Sequence, residues 1–158
     1  MRRDLSVLMA GLVADKDTRW ASSLGIKLRR AQWTEFFDGL AALYAGAVYG
    51  SKEHKVYELS YELSYARFLK FLLQGQGFRV EQEVSHAGGR TDIVADHPCG
   101  TYIFELKVNK PPKLAMSQMQ RKKYAAPYRT ANKPVWAVGL SFNSRTRQFK
   151  SSTALPVK

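Results

Sequence analysis

The stretch that most constrains this chain runs from Gly89-Arg90-Thr91-Asp92 to Phe104-Glu105-Leu106-Lys107. Two runs rich in β-branched and apolar residues, Arg90 to Ala95 and Thr101 to Val108, flank the turn residues His97-Pro98-Cys99-Gly100. That is the pattern of a β-hairpin. Folding it about Pro98-Cys99 sets Asp92 directly opposite Glu105. Directly opposed residues have Cβ atoms about 5 Å apart, so two carboxylates meet on one face. Side chains alternate along a strand, which brings Lys107 to that same face. Tyr102, Phe104, Leu106 and Val108 turn to the other. The second strand therefore has an apolar core side and a side where Glu and Lys project together.

Two carboxylates this close repel, and one stays protonated unless a cation lies between them. A hard divalent cation with oxygen ligands answers that need. Metal-activated water attacking a phosphodiester is the chemistry such a site suits, with the neighbouring ammonium holding or polarising the water. E-x-K alone is a very common triplet. The opposed Asp92 is what gives it weight here.

Charge points the same way. Residues 1–105 hold 13 Lys+Arg and 13 Asp+Glu, whereas the chain after Glu105 holds 12 Lys+Arg and no acidic residue. The net charge of +12 thus lies wholly downstream of the candidate metal ligands. A segment that also carries a helical stretch and the apolar strand Pro134 to Phe142 is no solvated tail. A folded basic surface beside a metal site suits a polyanion, most obviously nucleic acid. The sequence shows no amphipathic basic helix with an apolar anchor face and no membrane-spanning run, so no membrane partner is expected. Met1-Arg2-Arg3 and the following apolar residues faintly resemble a leader, but Asp4 and Gly11 interrupt the run. The single cysteine, Cys99, excludes an intrachain disulfide and fits a reducing, cytoplasmic setting. With three scattered histidines it forms no zinc-type cluster.

Helical periodicity places the remaining elements. Trp33, Phe36, Phe37, Leu40, Leu43, Tyr44 and Ala47 form a core stripe. Glu53 to Gly75 forms a second helix, with Tyr65, Leu69, Leu72 and Leu73 facing inward and Glu62 in line with them. A carboxylate on a core-facing stripe is expensive unless paired or bound to metal; near a helix start it is also favoured by the helix dipole. Glu58, one turn earlier, is the rival. Phe78 to Val84 reads as a strand, and Pro111-Pro112 opens a helix from Lys113 that Pro127 ends. On that helix Gln118 and Lys122 share one face, and Gln120 and Tyr124 another. Arg90 contacts phosphate or braces a carboxylate such as Glu83, and bracing is preferred. Arg145 to Lys150 is expected as an edge strand and 151–158 as a frayed tail.

Taken together these residues resemble the core of the PD-(D/E)XK nuclease superfamily. More narrowly, Glu62 to Phe142 is similar to the nuclease-like domain found behind AAA-type ATPase domains in bacterial proteins. The matching pieces are Glu62-x-x-Tyr65 before Gly77-Phe78, Gly89-Arg90-Thr91-Asp92, and Ile103-Phe104-Glu105-Leu106-Lys107. Gln118-Met119, Lys122-Lys123-Tyr124 and Val138-Gly139-Leu140-Ser141-Phe142 follow. Two departures stand out: no ATPase domain is present, and the proline often found before the aspartate is Thr91.

The resemblance implies an α/β, restriction-endonuclease-like core with a mixed central sheet of four or five strands flanked by helices. It divides the chain into an N-terminal helical segment over 1–52, the core over 53–150, and the tail. It implies a Mg2+-dependent nuclease, with Mn2+ as a substitute. Asp92, Glu105, Glu62 and the Leu106 carbonyl would hold the metal, and Lys107 would act on water or on developing charge. Gln118, Lys122, Lys123, Tyr124 and Arg90 would meet nucleic acid, DNA ahead of RNA. An ATPase partner or a homo-oligomer stays open. The competing reading keeps the fold without the chemistry, as a nucleic-acid-binding or regulatory module.

Overall fold

A computed structural model describes residues 18–48, 58–86, 89–129, 132–143, 145–146 and 148–157. The weak helical pattern of Leu5, Leu8, Met9 and Leu12 lies outside them, as do 53–57 at the expected start of the second helix. The elements are α1 (Thr18–Arg29), α2 (Trp33–Val48), α3 (Glu58–Gln74), β1 (Arg79–His86), β2 (Gly89–His97) and β3 (Gly100–Val108). Then come α4 (Pro112–Arg121), a 3-10 turn (Ala126–Tyr128), β4 (Val135–Asn143) and β5 (Gln148–Val157). The five strands form one sheet in the order β1-β2-β3-β4-β5. It is mixed: β3 and β4 run parallel and the other neighbours antiparallel. The architecture is the α/β, restriction-endonuclease-like fold expected from the sequence.

Alternation along the strands sorts the core into two layers. Tyr102, Phe104, Leu106 and Val108 of β3, Val138, Leu140 and Phe142 of β4, and Ile93 and Ala95 of β2 pack in the larger layer. They meet Leu24 and Leu28 of α1, Phe36, Leu40 and Tyr44 of α2, and Tyr65, Phe68, Leu69 and Leu73 of α3. Aromatic packing ties that layer together: Tyr65 stacks on Phe142 at 4.1 Å between centroids, and the Tyr44 hydroxyl donates to the Tyr65 carbonyl at 2.8 Å. Gly77, with φ of 86°, provides the left-handed residue that turns the chain from α3 into β1.

The opposite layer is thinner. Ile103, Val135 and Ala137 meet Met116, Met119 and Tyr124 there. On β4, past Val135, the residues facing α4 are small, namely Ala137, Gly139 and Ser141. A Cβ built on Gly139 would stand 3.0 Å from the Pro112 carbonyl oxygen and 3.3 Å from Ala115 Cβ and Met116 Sδ. The helix therefore rests on a backbone with no side chain between. Gly139→Val is expected to lower stability by about 1–3 kcal/mol through overpacking, read as a lower urea midpoint, and to lift α4 from the sheet.

Two expectations change. The C-terminal residues do not fray: β5 runs to Val157, which pairs with Val135. Nor does that strand start at Arg145. The Asn143 side-chain oxygen accepts from the backbone N–H of Arg145 at 2.9 Å and of Thr146 at 3.1 Å. This local turn delays the strand until Gln148, and its pairing is carried C-terminally into the supposed tail. Ala154 packs on the main core and Val157 on the smaller one, so the last residues are held by burial as well as by the ladder.

The second correction concerns Tyr124. The helix ends at Arg121, well before Pro127, which lies in the 3-10 turn. Lys123 takes φ of 52°. The N–H of Tyr124 reaches the Met119 carbonyl and the N–H of Lys123 the Gln120 carbonyl, both at 3.3 Å. These are the paired bonds of a Schellman stop, here with Lys in the position glycine favours, and Met119 and Tyr124 supply the apolar contact that accompanies it.

Candidate functional site

The β2–β3 register carries Ile93 opposite Phe104 and His97 opposite Gly100, closing at Pro98-Cys99 as the turn residues dictate. Pairing between these strands begins at Ile93, so beyond Phe104 the hairpin opens. There the Leu106 N–H donates to Asp92 Oδ2 at 2.7 Å. In a ladder that donor would meet a backbone carbonyl; here a side-chain carboxylate takes it. Asp92 is half-buried. Since Ile93 and Ala95 belong to the larger layer, alternation turns Asp92 toward the α4 face, where Glu105 and Lys107 also point.

Glu105 is 2% exposed. Its two oxygens differ. Oε1 accepts from Gln118 Nε2 at 2.6 Å and from Lys107 Nζ at 3.2 Å. Oε2 is buried with no hydrogen-bond partner among the described residues. Burial and, second to it, the Asp92 charge raise the Glu105 carboxyl, to about 7 once the opposing pull of Lys107 and of the Asp92 backbone is included. The Lys107 ammonium pulls it down, yet burial wins. Gln118 Nε2 also reaches the Tyr124 hydroxyl at 3.3 Å. Tyr124 is fully buried, and the Lys122 ammonium stands 6.0 Å from its ring centroid.

Asp92, Glu105, Lys107, Gln118 and Tyr124 are thus linked into one region, with Lys122 at its margin. Tyr124 arrives from the turn after α4 and not from a helix face. Leu106 is buried and gives its backbone to the site; its side chain belongs to the core. Lys123 is exposed. Glu62 lies on α3, across the sheet from α4; its side chain and those of Glu58 and Arg90 lie outside the described residues. Thr91, in the place of the expected proline, is fully buried, and its hydroxyl has no hydrogen-bond partner among the described residues.

A buried carboxylate oxygen with no donor, beside a second carboxylate, fits a hard cation. Asp92 and Glu105 are the side chains available to hold one; among the described residues no third His, Cys, Asp or Glu joins them. No described helix is long and apolar enough to cross a membrane. Basic side chains of the C-terminal half are mostly outward: Lys110, Lys113, Arg121, Lys123, Arg129 and Arg145 are exposed. Lys133 is engaged, its Nζ 2.6 Å from Asp96 Oδ1 at the far end of the hairpin.

What the sequence did not reveal is the support behind these groups. The Ser141 hydroxyl, fully buried, donates to the Lys110 carbonyl. The signal that could have found it is the run of small residues Ala137, Gly139 and Ser141 at strand period, which marks a face able to take a helix closely.

Comparison with known proteins agrees with this geometry. A protein of Azotobacter chroococcum mcd 1, described as an uncharacterized protein in the vnfD 5' region, is 32% identical over 119 residues. That match covers 70% of this chain and 22% of the relative, so the chain spans about a fifth of that protein's length. The sequence profile of the PD-(D/E)XK nuclease superfamily matches residues 60–152, more than half of the chain, from α3 through β4 and into the first half of β5. The chain, which carries Asp92, Glu105 and Lys107 where its central hairpin opens, belongs to the PD-(D/E)XK nuclease superfamily.

Proposed function

We propose that this protein is a divalent-metal-dependent nuclease that hydrolyses phosphodiester bonds in nucleic acid. The observation that carries the reading is the division of labour at Glu105. One oxygen is held by Lys107 and Gln118, and the other is buried without a hydrogen-bond partner among the described residues, on the residue whose carboxyl Asp92 perturbs. Asp92 and Glu105 would hold the cation, with Mg2+ or Mn2+ suited to an all-oxygen site. The bound ion supplies a polarised water and charge stabilisation on the phosphoryl oxygens. Lys107 orients the attacking water and neutralises charge that develops as the bond breaks. Gln118 keeps the Glu105 carboxylate in one rotamer, and the buried Tyr124 keeps Gln118 in place. Lys122 and Lys123 neutralise phosphates nearby. Glu62, carried on α3, is the remaining acidic candidate.

The test incubates the full chain with plasmid, linear duplex and single-stranded substrates, with Mg2+, with Mn2+ and with EDTA. Cleavage that requires the metal is the expected result. Binding that weakens with salt but never leads to cutting in either metal would make this a binding module that retains the fold.

A further inference from the structure

Lys107 and Gln118 form one wall of a groove of about 230 Å3, and Lys110, Leu114, Ser117 and Arg121 complete it. The first two belong to the site above; the other four have no part in it. Leu114, Ser117 and Arg121 follow one another along a single stripe of α4, with Leu114 and Arg121 about 10 Å apart along the axis. Lys110 and Arg121 are exposed cations, and among the described residues no acidic side chain lines the groove. Leu114 is 49% exposed.

Lys110 is presented from a pinned backbone. Asn109 sits in the left-handed region at φ of 57°, and its N–H donates to the Phe142 carbonyl at 2.8 Å. The next carbonyl, that of Lys110, accepts from the Ser141 hydroxyl. The groove is therefore built on fixed supports at its β3 end and on a helix along its length.

We infer that this groove seats one unpaired nucleotide beside the bond that is cut, so that the substrate is single-stranded nucleic acid or a frayed end. The inference rests on the nuclease reading and adds the substrate class. Lys110 and Arg121 take the flanking phosphates, and the Ser117 hydroxyl takes a sugar or phosphate oxygen. Leu114 covers the face of the base. Size sets a bound: about 230 Å3 lies below the roughly 300 Å3 at which pockets for drug-sized ligands begin, so no more than one base would enter, with its sugar and phosphates along the open rim. Chemistry supports it too. A duplex keeps its base faces stacked and shows only backbone and base edges, so an apolar side chain between two cations would find a thymine methyl at most. An unpaired base offers an apolar face, and contact with that face is tolerant of sequence.

Fluorescence anisotropy with the full chain in EDTA separates binding from cutting. The probe is a fluorescein-labelled oligonucleotide, deoxyribose or ribose, free or annealed to its complement. The free strand is expected to bind at least about tenfold more tightly than the duplex in one or both sugars. Leu114→Ala is expected to weaken the free strand about three- to tenfold, the loss of part of a leucine's apolar burial, and leave the duplex unchanged. Lys110→Ala with Arg121→Ala should lower the salt slope for the free strand by about 1.4. All three side chains are exposed, and melting curves are the check that the variants fold. Equal or tighter duplex binding, or Leu114→Ala without selective effect, overturns the inference. If duplex is then bound and cut, the nuclease reading survives that loss. Absence of binding to every probe removes both.

Discussion

Lys107→Ala is expected to slow phosphodiester cleavage by about 10²–10³-fold, the usual cost of losing one group aimed at developing charge. The substitution leaves Asp92 and Glu105 in place, so divalent-metal binding and nucleic-acid binding should persist. The ammonium has a second role. It is the group that pulls the Glu105 carboxyl down against burial, so in its absence metal uptake should shift to higher pH. Asp92→Asn acts differently. It removes a charge from the metal site while keeping an oxygen that can accept from the Leu106 N–H, and metal affinity and cleavage should fall together. Both side chains face away from the layer that holds Phe104 and Leu106, so the fold should survive both changes, as a melting curve would check. A folded Lys107→Ala or Asp92→Asn protein that cuts at the unmodified rate would remove the nuclease assignment.

Glu105→Gln should abolish cleavage and, without metal, stabilise the fold. The folded carboxyl titrates at about 7 and the ordinary glutamate near 4.5. Between those values the folded state holds a proton that the unfolded state has lost. Stability contributed by this group is therefore fully present below pH 4.5 and falls as pH rises to 7. At about 1.4 kcal/mol per pH unit the loss reaches about 3 kcal/mol above pH 7. Glutamine carries no charge to desolvate and does not titrate. Urea unfolding in EDTA at acid and at mildly alkaline pH should show the unmodified protein losing about 3 kcal/mol relative to Glu105→Gln. Parallel pH profiles for the two proteins would mean that Glu105 is not held in an apolar setting. Added Mn2+ should restore stability to the unmodified protein alone, the pattern of a site that trades fold stability for function.

The hairpin was legible because its two-residue turn leaves one register, and register alone decides which side chains share a face. Asp92, Glu105 and Lys107 followed from that without any tertiary information. Gln118 was legible as a helix position, though its contact with Glu105 depends on how near α4 lies to the sheet, which Gly139 decides. Tyr124 was placed on the wrong element because a Schellman stop with lysine at the left-handed position carries no glycine to announce it. β5 was misplaced because Asn143 reads as an ordinary polar residue until its side chain is seen closing the turn after β4. The groove beyond Lys107 was not legible at all, since it joins a loop to a helix stripe through a buried serine on a third element.

The parallel pairing of β3 with β4 has a consequence for the order in which the site comes into being. Asp92, Glu105 and Lys107 lie on a local hairpin that can close as soon as it is made, whereas Gln118 and Tyr124 are fixed only when the crossover through α4 brings β4 back alongside β3. Pairings that span such a crossover form slowly. During synthesis, which proceeds from the N-terminus, the acidic pair therefore exists before anything steadies it. A ribosome-bound chain that has not yet produced Val135 to Phe142 carries ligands but no ordered cleft. On the proposed reading, cleavage thereby waits, by topology alone, for β4 to pair with β3.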